Sequence, residues 1–160
     1  MTHVLVLILA LLIGVIAGLR AFTAPAAVAW AGMLDWLVLD GTWAQWVAHP
    51  ITVAVLTVLL VGELITDQLP KTPSRKTAMQ FGARLVSGGF AGAVIGTGFG
   101  YPIGGLGAGV IGAVLGTLGG YEARKRLVAR NGGRDLPIAL LEDGIAVVGG
   151  FVIAWLTTVV

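Results

Sequence analysis

Cysteine is absent from this chain, histidine occurs twice, and charge is scarce: ten Lys and Arg and eight Asp and Glu in 160 residues. Without cysteine there is no disulfide framework, no thiolate nucleophile and no thiolate-ligated metal. Neither His3 nor His49 belongs to a His-Glu-x-x-His pattern, and no Gly-x-Ser-x-Gly occurs. These absences weigh against an intramembrane enzyme, because the usual hydrolase and metalloprotease signatures are missing. Charged residues make up 11% of the chain, whereas an ordinary soluble domain carries about a quarter. What is present instead is apolar: 57% hydrophobic residues and a mean hydropathy of +0.95.

The apolar residues fall into six runs, at about 3–19, 24–39, 50–67, 78–97, 102–121 and 137–159. Several approach the ~20 residues that cross a hydrocarbon core as a helix. The expected fold is all-α: a polytopic transmembrane bundle of about six helices forming one domain over 1–160. The first run has no basic start, and Arg20 stands where a cleavage site would want small residues, so it reads as a retained helix. Pro25, Pro50 and Pro137 open later runs, in the first turn where a missing N–H costs nothing. The second run is short and reads as a span or a partial span.

Basic residues orient the bundle, because loops rich in Lys and Arg stay cytoplasmic. Lys71, Arg75 and Lys76 lie between the third and fourth runs, and Arg124, Lys125, Arg126, Arg130 and Arg134 between the fifth and sixth. With these loops inside, Arg20 and Arg84 fall on the inner side too, and both termini face out. Trp36, Trp43, Trp46 and Trp155 then gather at the outer surface as an interfacial belt. The expected location is a bacterial inner membrane, with membrane lipids as partners.

Glycine is plentiful, with 25 residues, and its spacing is regular. Gly88, Gly92 and Gly96 in the fourth run, and Gly112, Gly116 and Gly120 in the fifth, recur every four residues. Small residues at that spacing let two helix backbones approach closely. The expectation is a tight hairpin between these helices, with Val94 and Val110 off the contact face. Further glycines, Gly89, Gly105 and Gly109, suit a homodimer seam. No Gly-rich stretch leads into Lys-Ser or Lys-Thr, so a phosphate loop is not indicated; no cofactor and no nucleic-acid partner are expected.

Four acids accompany two arginines at the inner level: Glu63 and Asp67, one helical turn apart, and Glu142 and Asp143, with Arg20 and Arg84. An unpaired charge inside a bilayer costs about 3 kcal/mol on insertion scales. Six at one depth point either to salt bridges that hold the bundle together or to a substrate or proton site. Two arginines against four acids would leave the cluster short of positive charge, favouring a shared proton or a bound cation. No metal site is expected, since no loop carries the usual ligand spacing. The stretches "GLRAFTAPAA" at 18–27 and "GARLVSGGFA" at 82–91 share a Gly-x-Arg-x-x-Ser/Thr pattern and are candidates for an internal repeat.

Together with "GELITDQLPKTPSR" and "LLEDGIAVVGG", these stretches resemble an uncharacterised bacterial membrane family, domain of unknown function 4126. The resemblance covers nearly the whole chain and implies an integral membrane protein without supplying catalytic residues. The residues themselves favour a transporter or channel for an anionic or lipid-linked solute. The helix start after Arg20 offers free N–H groups and a dipole that favour an anion. The alternative is a lipid-binding or scaffolding protein in which the arginines hold phospholipid headgroups. The orientation is checked by labelling a single cysteine placed at Arg130 in this otherwise cysteine-free chain. An impermeant reagent should reach it only in permeabilised cells; labelling from outside intact cells would reverse the topology.

Overall fold

The computed structural model describes residues 2–67 and 77–160. Among these residues the protein is all-helical, with six α-helices and no strand. They are α1 (Thr2–Leu19), α2 (Thr23–Met33), α3 (Pro50–Thr66), α4 (Ala78–Gly98), α5 (Pro102–Arg130) and α6 (Leu136–Leu156), with a 3₁₀ turn at Gln45–Ala48 before α3. The segments Pro102–Arg130 and Leu136–Val159 are long and apolar enough to cross a membrane, while His3–Leu19 and Pro50–Thr66 are shorter apolar helices. Lys71, Arg75 and Lys76, and with them most of the expected basic connection at 68–77, lie outside the described residues.

Two helices differ in length from expectation. The second apolar run was expected to continue to residue 39, but α2 stops at Met33. Asp35 adopts a left-handed backbone, φ 58°, and the Trp36 and Asp35 N–H groups donate back to Ala31 O (2.9 Å) and Gly32 O (3.3 Å). This 6→1 and 5→2 pairing is the closure that usually uses glycine, here built on an aspartate, which tolerates that conformation better than most residues. Conversely, α5 runs on through "YEARKRLVAR" to Arg130, where a connecting loop was expected from residue 122. Glu, Ala, Arg, Lys and Leu are strong helix formers, and the helix ends only at Gly132, φ 65°, with Gly133 N–H on Val128 O at 2.9 Å.

The tightest packing joins α1, α4 and α5, and glycine makes it possible. A Cβ at Gly88, Gly92 or Gly96 of α4 would overlap backbone of α5 or of the turn before it, at Gly109, Gly105 and Tyr101. The α5 side of that contact is Gly105 and Gly109, whose own Cβ would meet Gly92 O and Gly88 O. Gly112 and Gly116 instead lie against Leu11 O and Val15 O of α1, which corrects their assignment to the hairpin. Gly120 is half-buried and faces a crevice beside α6. The reason is geometric. At 3.6 residues per turn, each step of four residues drifts by about 40°, so a strict series of fours turns off one face within a few steps. Gly105 and Gly109, candidates for a dimer seam, are thus taken up inside the chain. Val94, expected off the contact face, is fully buried in the core.

Against this three-helix unit sits α2. Nine of its eleven residues are buried, mostly alanine, and it packs on α3, α4, α6 and α1. Eleven residues span about 16 Å, roughly half a hydrocarbon core. Beyond it the irregular segment folds back over the helix end, burying Leu37, Leu39, Ala44 and Val47. Trp43 Nε1 ties this cap to Thr97 of α4 at 2.8 Å, and Thr157 Oγ1 ties it to Trp36 O at 3.0 Å. The packing distinguishes two glycines of similar sequence context. Gly92→Ala should cost about 2 kcal/mol or more, since its Cβ would meet backbone that cannot yield. Gly107→Ala, with nothing within 4 Å, should be neutral or stabilising by up to about 1 kcal/mol. Thermal unfolding in detergent measures both, and equal effects would refute the close-contact face.

Candidate functional site: a charged layer around a helix break

The polypeptide leaves the helical path at residues 20–22, between α1 and α2. Such a break exposes the last carbonyls of one helix and the first N–H groups of the next. Here side chains from two other helices satisfy them. Glu63 of α3 accepts from Ala21 N–H at 2.6 Å and Phe22 N–H at 2.8 Å. Arg84 of α4 donates to Gly18 O at 2.6 Å and Leu19 O at 2.7 Å. Ser87 Oγ donates to Ala21 O. A carboxylate thus caps the N-terminus of α2 and a guanidinium the C-terminus of α1, the arrangement the two helix dipoles favour.

Arg20 lies at the centre of the break and has no solvent exposure. Its Nε donates to Asp143 Oδ1 of α6 at 2.5 Å, and Nη2 lies against the same oxygen. Nη1 pairs with Asp67 Oδ2, just past α3. One planar guanidinium therefore spans carboxylates from two helices, which a single ammonium cannot do. Arg20 and Arg84 both point into the protein, at 0% and 1% exposure, so neither presents a guanidinium to headgroups.

Glu142, 8% exposed, turns to a partner that sequence reasoning left in a connecting loop. Arg124, on the helical extension of α5, reaches Glu142 Oε2 at 3.4 Å and Asp135 at 2.6 and 2.9 Å. Carrying the helical period past residue 121 would have placed Arg124 there. Its arrival does not change the charge balance: Arg124 brings Asp135 with it, so three arginines face five acids and the excess of two acids stands. Thr23, at the head of α2, was also overlooked. Its Oγ1 is buried and makes no hydrogen bond among the described residues. No cluster of metal-ligating side chains occurs among those residues.

The two candidate repeat stretches do not share local structure. Arg20 sits in the break, three residues before α2, whereas Arg84 lies inside α4, six residues after its start. They meet instead of matching, Arg84 capping the helix that ends beside Arg20. Comparison of the chain with protein-family models, with curated proteins and with solved structures finds no match.

The network makes a stability prediction. Arg20→Met leaves two carboxylates without their cation and should lose about 3–5 kcal/mol. Adding Asp67→Asn and Asp143→Asn, which removes the uncompensated charges, should recover most of that loss. Arg20→Lys should restore little. Thermal unfolding in detergent measures the series; a triple variant no more stable than Arg20→Met would show that the ion pairs do not hold Arg20 in place.

Proposed function

We propose that the protein is a multi-pass membrane transporter or channel for an anionic or lipid-linked solute, with the charged layer around Arg20 as its working site. The observation that carries the reading is the broken, buried half-helix: α2 is about half a span long, almost wholly buried, and headed by Arg20. Non-helical backbone at membrane depth is tolerated where protein or an aqueous path surrounds it. Discontinuous helices whose N-termini meet an anion are the recurrent device of membrane transport sites. In this reading α5 and α6 cross the membrane with their connection on the cytoplasmic side, and α1, α3 and α4 complete the bundle.

The chemistry of the site follows from who now occupies it. Each position suited to an anion, the Arg20 guanidinium and the Ala21 and Phe22 N–H groups, is held by one of the chain's own carboxylates. An incoming carboxylate or phosphate would bind by displacing Asp67, Asp143 or Glu63, and the displaced acid would take up a proton or move toward water. Thr23 Oγ1 offers a further hydrogen bond at the same helix head. The network as it stands is then the closed state of the site. Neither Arg20 nor Arg84 is available to a headgroup, so the scaffolding alternative loses the residues on which it relied.

Flux in proteoliposomes tests the reading. With a trapped pH-sensitive dye and labelled phosphate and dicarboxylates, wild type should move at least one of these anions or protons. Arg20→Ala should lower the rate at least tenfold, and Arg20→Lys should not rescue it. Vesicles that hold folded wild-type protein yet move none of the probes would overturn the proposal.

A further inference from the structure

The connection between α5 and α6 is short, yet the two helices scarcely touch. α5 is drawn to α1 and α4 by its glycines, while α6 leans on α1 and α2. Between them a crevice of about 180 Å³ opens, with Gly120, Leu19, Leu127, Ile138, Leu141 and Ile145 in its walls. Leu127, Leu141 and Ile145 are exposed. Arg124 and Glu142, joined as an ion pair, also line it, but the surface they turn to the space is apolar. The space runs past that pair to Leu127 and Ile138, next to the α5–α6 connection.

At that end basic charge is in excess. Arg130 stands one turn beyond Leu127, and Arg134 precedes the Asp135 that Arg124 binds. Both are exposed and form no ion pair among the described residues, whereas Arg126 is paired with Glu122. Lys125 falls on the face of α5 turned away from the crevice. Apolar space leading to two free cations is complementary to one kind of molecule, an anionic phospholipid.

We propose that the α5–α6 crevice binds an anionic phospholipid, with one acyl chain between the helices and the headgroup phosphate held by Arg130 and Arg134 at its end near the α5–α6 connection. The proposal rests on the membrane reading above but not on transport. Basic pockets between transmembrane helices on the cytoplasmic side recognise such headgroups, each Lys or Arg near the surface adding about 1 kcal/mol of attraction, or about fivefold in affinity at 1.4 kcal/mol per factor of ten. The apolar wall fixes where along the basic ridge the lipid sits. A purely electrostatic ridge would be indifferent to the crevice.

The test uses the full chain in nanodiscs of phosphatidylcholine doped with phosphatidylglycerol, with native mass spectrometry of the lipid retained after release. Wild type should retain phosphatidylglycerol over phosphatidylcholine. Arg130→Gln and Arg134→Gln should each weaken that preference about fivefold, whereas Lys125→Gln, on the far face of α5, should not, and these exposed positions leave the core untouched. Ile145→Trp, which fills the crevice and keeps every charge, should abolish retention. Soluble glycerol phosphate should bind neither form. Retention unchanged by Ile145→Trp, or by the two arginine substitutions combined, overturns the site. Binding of glycerol phosphate at wild-type strength overturns the lipid as its ligand. A chain that does not enter the nanodisc sinks the membrane reading itself, a result distinguishable from loss of lipid preference.

Discussion

A fully buried guanidinium is the constraint on which the rest of the molecule depends. Removing a charge of that size from water carries a penalty of several kcal/mol, recovered only when geometry and hydrogen bonding are both good. Arg20 meets the condition with carboxylates from two sides, Asp67 past α3 and Asp143 on α6. Those pairs fix the heights of α3 and α6 relative to the end of α1. Glu63, one turn before Asp67, then falls on the N–H groups that the break exposes. Arg84 and Ser87 bring α4 to the same level through the carbonyls. The polar groups of one three-residue break thereby set the register of four helices.

The chain divides its small residues by task. Glycine serves the α1–α4–α5 unit, where backbone meets backbone and a Cβ has no room. Alanine fills α2, which is surrounded by side chains and not by bare backbone. In the membrane setting proposed above, helix association gains little from expelling water, and close backbone approach is a main source of cohesion. The half-helix is held by side-chain packing along its whole length, by polar contacts at its head and by an apolar cap at its tail.

The positions of the six apolar runs, the prolines that open them and the four-residue rhythm of glycine were legible along the chain, because each depends on hydropathy or on backbone chemistry carried by single residues. So was the convergence of Arg20 with acids: few charges in a greasy chain have few places to go, and the i, i+4 spacing of Glu63 and Asp67 made one acidic face. Less legible was the end of α2, since a left-handed Asp35 does the work usually given to glycine. The helical nature of 122–130 was present in its composition but masked by its charge, and Arg124 was missed with it.

By itself, then, the sequence determined that the chain is helical among its described residues, where its helices begin, and that its buried charges must neutralise one another. Tertiary structure alone decided the pairing. Whether Glu63 meets an arginine or a backbone N–H, whether Gly112 faces α4 or α1, and whether Arg84 repeats Arg20 or caps the helix before it all depend on how helices rotate about their axes. That rotation comes from a drift of about 40° per four residues and from contacts between residues far apart in the chain. Neither is written in any local stretch.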